Sequence, residues 1–357
     1  MVSNNEVLMA LGKVIEPELK KDLVALNMVE NIVIKGKEVK LSIILTTPVC
    51  PLREKIEAEV RETVLGISGI ERVVINMEAR IPTDGKDRKI MSLPIKNAIA
   101  IASGKGGVGK STIAVNVAVT LAMQGAKVGL MDADIYGPNI PTMMGVHLLP
   151  PPENGRLKPA EAYGVKMFSI GFMVRKGQPL IWRGPMLNTA IRQFISDVDW
   201  GALDYLIIDF PPGTGDAQIS LMQNLQLSGG VIVTLPQKVS IEDASRGLQM
   251  FREMAVPVLG VIENMSYLML ADGTKMDLFG CGGGEALAVE MDTEFLGSIP
   301  IDPNIRIGGD NGRPIVIEHI ETDAAIALIN ITGKMAAQIS VAALTNKFIN
   351  SAKKANG

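Results

Sequence analysis

The chain has 357 residues, with 35 Lys and Arg against 38 Asp and Glu and a formal net charge of −3. At 47% hydrophobic and 20% charged it suits a globular protein with one large domain and a small one. That charge excludes the basic footprint of a nucleic-acid binder, no run reaches the roughly 18 apolar residues of a membrane span, and two cysteines exclude a disulfide framework.

In chain order, residues 3–14 and 53–65 have helical spacing, while 30–34, 39–45 and 71–78 read as short strands. Together they predict a small α/β domain over residues 1–80. Cys50 lies between a strand and the helix that follows. There a helix N-terminus would lower its thiol pKa, or the side chain would serve as a small buried hydrophobe. Residues 81–95 combine charge, Pro and Gly without an apolar period, which reads as a linker.

Over residues 96–357 strand candidates recur at 98–103, 127–131, 204–209, 230–235, 258–262 and 295–299, with helical stretches between them. This alternation predicts an α/β fold, a mostly parallel sheet flanked by helices, with ligands at the C-terminal ends of the strands. Residues 104–111 read Gly-Lys-Gly-Gly-Val-Gly-Lys-Ser, a P-loop set between a strand and a helix. Its amides and the following helix N-terminus are suited to cradle a triphosphate. The expected nucleotide-binding residues are Gly104, Lys105, Gly106, Gly107, Val108, Gly109, Lys110, Ser111 and Thr112, with Lys110 on the β and γ phosphates and Ser111 on Mg²⁺.

Acidic residues follow at the ends of later strands. Asp134 is assigned to positioning the attacking water and Asp132 to the outer shell of Mg²⁺, with an exchange of the two left open. Asp209 closes an apolar strand in the Walker B manner, and the glycine-bearing segment to Asp216 is placed to sense the γ-phosphate. Pro150-Pro-Pro-Glu-Asn-Gly reads as a turn ahead of a small insertion. His147 and His319 show no metal-type spacing.

The Gly-Lys-Gly-Gly-Val-Gly-Lys-Ser-Thr run resembles the ParA, MinD and Mrp ATPases. Asp132-Ala-Asp-Ile-Tyr-Gly-Pro-Asn, Trp182-Arg-Gly-Pro-Met, Asp209-Phe-Pro-Pro-Gly-Thr-Gly-Asp and Val261-Ile-Glu-Asn-Met-Ser narrow the likeness to the Mrp/ApbC group over nearly the whole chain. The first 90 residues are similar to the small domain of cluster-assembly factors through Thr46-Thr-Pro-Val-Cys50-Pro-Leu. This resemblance implies an ATP-hydrolysing iron–sulfur cluster carrier that works as a homodimer, serves apoprotein clients and scaffold proteins, and resides in the cytoplasm. It implies that Lys105 reaches the nucleotide of the partner subunit, and that Asn264 and the segment after Pro300 line the adenine. Trp182 and Arg183 are expected to serve the dimer face, a client or the core.

The sequence departs from the family at one point. The Cys-x-x-Cys pair that follows Asn-Met-Ser in many members, and would hold a bridging [4Fe–4S] cluster, is absent. Cys281 stands in the glycine-rich turn beyond and reads as a small loop residue ahead of a ligand, so the cluster ligands are left open between Cys281 and Cys50. A MinD- or ParA-like positioning ATPase on a membrane or on DNA is the alternative. It would need a basic amphipathic tail, and Lys334, Lys347, Lys353 and Lys354 are too scattered for stable membrane association. The tail, with Met335, Ile339 and Leu344 at helical spacing, is expected to pack on the large domain.

Overall fold

The computed structural model describes residues 2–86, 88, 94–135, 137–173, 184–270 and 272–355. Trp182, Arg183 and Tyr136 lie outside the described residues. The chain forms two units, Met1–Pro82 with Ala336–Gly357, and Thr83–Met335.

In the first unit, α1 (Asn4–Leu11) opens with a capping box. Ser3 Oγ accepts from the Glu6 amide at 3.3 Å and the Glu6 carboxylate accepts from the Ser3 amide at 2.7 Å. Gly12 ends this helix earlier than the periodicity predicts. A short ribbon follows, β1 (Ile15–Glu16) with β2 (Lys21–Asp22). Then β3 (Val29–Lys35) pairs antiparallel with β4 (Glu38–Leu45). The helix α2 (Arg53–Leu65) provides the crossover to β5 (Arg72–Ala79), which lies parallel to β4. Ile56, Val60 and Val64, four residues apart on α2, pack in one core with Val39, Leu41, Ile43 and Leu45 of β4.

The second unit is built on β6 (Ile95–Ser103), α3 (Lys110–Met123), β7 (Val128–Asp132), α4 (Ile140–Met143), β8 (Ala160–Ala162) and β9 (Val165–Ser169). It continues with α5 (Gly184–Asp197), β10 (Leu203–Asp209), α6 (Asp216–Leu225), β11 (Gly229–Thr234), α7 (Lys238–Glu253) and β12 (Val258–Glu263). A small ribbon, β13 (Leu268–Met269) with β14 (Lys275–Met276), precedes α8 (Gly283–Glu290), β15 (Phe295–Ser298), α9 (Pro303–Asp310) and α10 (Ile315–Glu318). The large sheet runs β15-β12-β11-β6-β10-β7-β9-β8, parallel throughout except for β8. Helices cover both faces, so its central strands are continuous apolar runs. The predicted fold class holds. The insertion after residue 150 adds two strands to the sheet edge, which its turn-rich start concealed.

Two parts of the sequence reading change. Among the described residues of the expected linker 81–95, the Asp84 and Arg88 side chains do not face solvent; they are buried (3% and 5% exposed) and paired at 2.6 Å. Arg88 also donates to the carbonyls of Ile95 and Gln226, and Ser228 Oγ donates to Asp84 at 2.6 Å. Charge here satisfies the start of the sheet instead of facing water. The last helix, α11 (Asp323–Ala355), divides at residue 336, and its end belongs to the first unit, where Ser340 Oγ donates to the Thr46 carbonyl at 3.3 Å. The tail therefore groups with the small domain. Its Asp323–Thr345 stretch is long and apolar enough to cross a bilayer, but most of it is buried inside the protein.

Candidate functional site

The P-loop leaves β6 at the middle of the sheet, where parallel strands end together. In register, Asp209 of β10 lies beside Ile101 on one side and Asp132 on the other, and Asp132 lies beside Ser169 of β9. Sheet geometry thus gathers the acids that are far apart in sequence. Gly109, the N-cap of α3, has φ +85, and a Cβ there would stand 2.2 Å from Asn264 Nδ2. A Cβ on Gly104 would strike the Asp243 carbonyl. Glycine is required at both ends of this loop.

Lys110 is buried, and its Nζ lies 2.5 Å from Asp209 Oδ1, 3.3 Å from Asp134 Oδ2 and 3.4 Å from Ser111 Oγ. The lysine expected on the phosphates is held by two carboxylates at the place where a phosphate chain would lie. Asp209 is fully buried, and its Oδ2 has no hydrogen-bond partner among the described residues. Burial pushes its pKa up, against the pull of the Lys110 ammonium. An orphaned carboxylate oxygen beside the Ser111 hydroxyl fits the demand of a Mg²⁺ ion for oxygen ligands and ordered water. Among the described residues no group of three or more His, Cys, Asp or Glu forms a ready-made metal cage.

Asp132 is arranged differently. Its Oδ2 accepts from Ser169 Oγ at 2.7 Å and from the Ile140 amide at 3.3 Å, and its Oδ1 accepts from the Asp134 amide at 3.2 Å. Burial first, and then the charge of Asp209, raises its pKa to about 8. The carboxylate expected in an outer metal shell is committed to anchoring the loop that carries Asp134 and the start of α4. Ser169 carries no motif signal, and only the apolar run Val165–Phe168 before it could have placed it on a strand beside the acids.

A cavity of about 660 Å³ opens beside the P-loop, lined by Gly109, Thr112, Thr142, Asn264, Ile301 and Arg306 among others. Asn264, just after β12, donates from Nδ2 to the Val108 carbonyl at 2.9 Å. The segment after Pro300 lies on the same wall. The contribution from α4 was not legible in the sequence. The segment 209–216 is held by Gln218, which donates to the carbonyls of Pro211 (3.0 Å) and Pro212 (2.6 Å). Lys105 is half-buried, its carbonyl accepts from Ser103 Oγ at 2.8 Å, and its ammonium has no ion-pair partner among the described residues.

The two cysteines differ in their surroundings. Cys281 is exposed, and a hydrogen bond to Asp277 raises its thiol pKa. Cys50 is half-buried beside α2, and burial pushes its thiol up to about 11. This overturns the lowered pKa expected from a helix N-terminus, since desolvation outweighs the amide of Leu52.

Residues 94–336 match the family described as the NUBPL iron-transfer P-loop NTPase, and residues 4–77 match that of an iron–sulfur cluster assembly protein. The chain belongs to the NUBPL-type iron-transfer P-loop NTPase family. It is 50% identical over 353 residues to the iron-sulfur cluster carrier protein of Synechocystis, covering 96% of this chain and all of that one. Identity to the carrier of Deinococcus radiodurans is 45%, covering 96% and 97%. Among solved structures, a nucleotide-binding protein in complex with ADP from Archaeoglobus fulgidus is similar at TM-score 0.56 and 38% identity, covering 64% of this chain and 90% of that one. The cell division ATPase MinD of Pyrococcus furiosus shares the fold at TM-score 0.50 and 22% identity, covering 67% and 97%. That likeness concerns fold alone; the family match and the carrier relatives do not favour the MinD-like positioning alternative.

Proposed function

We propose that this chain is an ATP-hydrolysing carrier that receives iron–sulfur clusters and passes them to apoproteins. The observation that carries the reading is the P-loop lysine poised between Asp209 and Asp134 beside a nucleoside-sized cavity. It is supported by relatives over 96% of the chain that are named cluster carriers.

In this reading the triphosphate takes Lys110 from its two carboxylates, and the loop amides from Gly104 to Thr112 receive the phosphate oxygens. Asn264 and the segment after Pro300 bound the adenine. Ser111 and Asp209 hold Mg²⁺, which supplies charge neutralisation on the phosphates. Asp134, freed from Lys110, orients the attacking water, while Asp132 keeps the Asp134 loop in place. Lys105 acts in a homodimer on the nucleotide of the partner subunit, as an arginine finger does. Departure of the γ-phosphate relaxes the segment 209–216.

The cluster is cargo. Four thiolates are its usual ligand set, and this chain offers Cys50 and Cys281, which lie in different units. A cluster shared by two Cys281 residues would be completed by thiols of the client or scaffold. Such ligation is labile and suits transfer. The site of action is the cytoplasm, without stable membrane or nucleic-acid association.

The test is anaerobic reconstitution with iron and sulfide, followed by ATP-dependent activation of an apoenzyme that needs a [4Fe–4S] cluster. Charge-transfer absorbance and client activation are expected, with loss of the colour in Cys281→Ala. No transfer from well-folded, ATP-hydrolysing protein would contradict the carrier reading. Sedimentation with liposomes or DNA in the presence of ATP would instead support the positioning alternative.

A further inference from the structure

A buried acid adjacent in sequence to Asn264 of the cavity holds a surface turn. Glu263, the last residue of β12, is fully buried. Its Oε2 accepts from the Gly284 amide at 2.6 Å, and its Oε1 accepts from the Gly282 amide at 3.2 Å and from Ser266 Oγ. These bonds grip the turn that carries Cys281. Within the turn Gly280 and Gly282 are at positive φ with nothing within 4 Å of a Cβ built on either, while Gly283 stands close against the Pro236 carbonyl and the Ile241 side chain. Leu278, Phe279 and Cys281 beside it are exposed.

The neighbouring residue faces the other way. Asn264 donates to the Val108 carbonyl of the P-loop and lines the cavity. Residues 263 and 264 are fixed to the sheet, as the Asn264 amide donates to the Thr234 carbonyl at 2.8 Å and the Ile299 amide donates to the Glu263 carbonyl at 2.8 Å. One stiff dipeptide therefore holds the P-loop with one side chain and the Cys281 turn with the other.

We propose that Glu263 is a positioning residue that transmits nucleotide occupancy at the P-loop to the Asp277–Gly284 turn, and so sets the exposure of Cys281 and its apolar neighbours. A ligand that fills the cavity presses on Asn264 and reshapes the Val108 carbonyl contact. The displacement passes to Glu263 through the backbone they share. The glycine turn follows the buried carboxylate that accepts from two of its amides. This rests on the nucleotide-binding reading and adds to it a regulated surface.

The test uses the full chain with Cys50→Ser, so that Cys281 is the single thiol. Its rate of modification by a maleimide is measured with and without saturating Mg-ADP, while binding of a fluorescent ATP analogue is followed in parallel. The expected result is a rate change of about fivefold or more on nucleotide binding, the lower end of site-to-site coupling. That response should be lost in Glu263→Gln, which cannot accept on both sides, although the analogue still binds. Ser266→Ala removes one of three donors and should weaken the response, which keeps the test open if Glu263→Gln does not fold. An unchanged modification rate in protein that binds the analogue overturns the coupling and leaves the nucleotide reading intact. A full response in Glu263→Gln overturns the role of Glu263. Failure of the analogue to bind removes the nucleotide reading and the coupling with it.

Discussion

The Lys110 ammonium and the Asp209 carboxylate lie 2.5 Å apart, both buried at the end of the central strands. Each neutralises a charge that could not be left alone there, and in the proposed reading phosphate would replace Asp209 beside Lys110 while Mg²⁺ would replace Lys110 beside Asp209.

Lys110→Ala should abolish nucleotide binding and also destabilise the fold. Removing one partner of a buried pair leaves an uncompensated carboxylate, at a cost of about 3–5 kcal/mol. Urea unfolding measures this, and Lys110→Ala with Asp209→Asn should recover more than half of the loss without restoring binding. A single mutant as stable as the parent would contradict the pairing.

Lys105→Ala should keep nucleotide affinity and lower turnover by ~10³-fold or more, the lower end of the scale of a finger supplied in trans. Phosphate release at several protein concentrations checks it. The parent should gain specific activity as dimers form, and the variant should not.

Arg88→Ala should destabilise the large unit by about 3–5 kcal/mol, because it leaves the buried Asp84 without its partner. Arg306→Ala, removing an exposed pair with Asp310, should change stability by less than ~1 kcal/mol. Thermal or urea denaturation of the two variants separates a pinned segment from a solvated linker.

The thiol of Cys50 gives a pH prediction. Burial raises it from 9.0 to about 11, so between those values the folded chain keeps a proton that the unfolded chain has lost. Stability should therefore fall as pH rises from 9 to 11, and Cys50→Ser should flatten that decline. Native alkylation of Cys50 near pH 8 should be slow and should accelerate strongly in guanidinium.

Much of this arrangement is legible in the sequence because it rests on local rules. The P-loop needs its glycines at fixed positions, and apolar runs such as Tyr205–Ile208 announce buried parallel strands. What escaped depends on long-range pairing. Ser169 gains meaning only when β9 aligns it with Asp132, and nothing local shows that Asp132, expected in the outer shell of Mg²⁺, accepts from Ser169 and from the amides of Asp134 and Ile140. Asp84 and Arg88 resemble linker charge because nothing local shows that Ser228, 144 residues away from Asp84, completes their site. Cys50 follows burial, which no motif near it encodes.

The most direct test of the central claim is titration calorimetry of Mg-ATP into the full chain. Saturable uptake of one nucleotide per chain is expected, lost in the Lys110→Ala, Asp209→Asn double variant. Absence of any binding heat from well-folded parent protein would contradict the account.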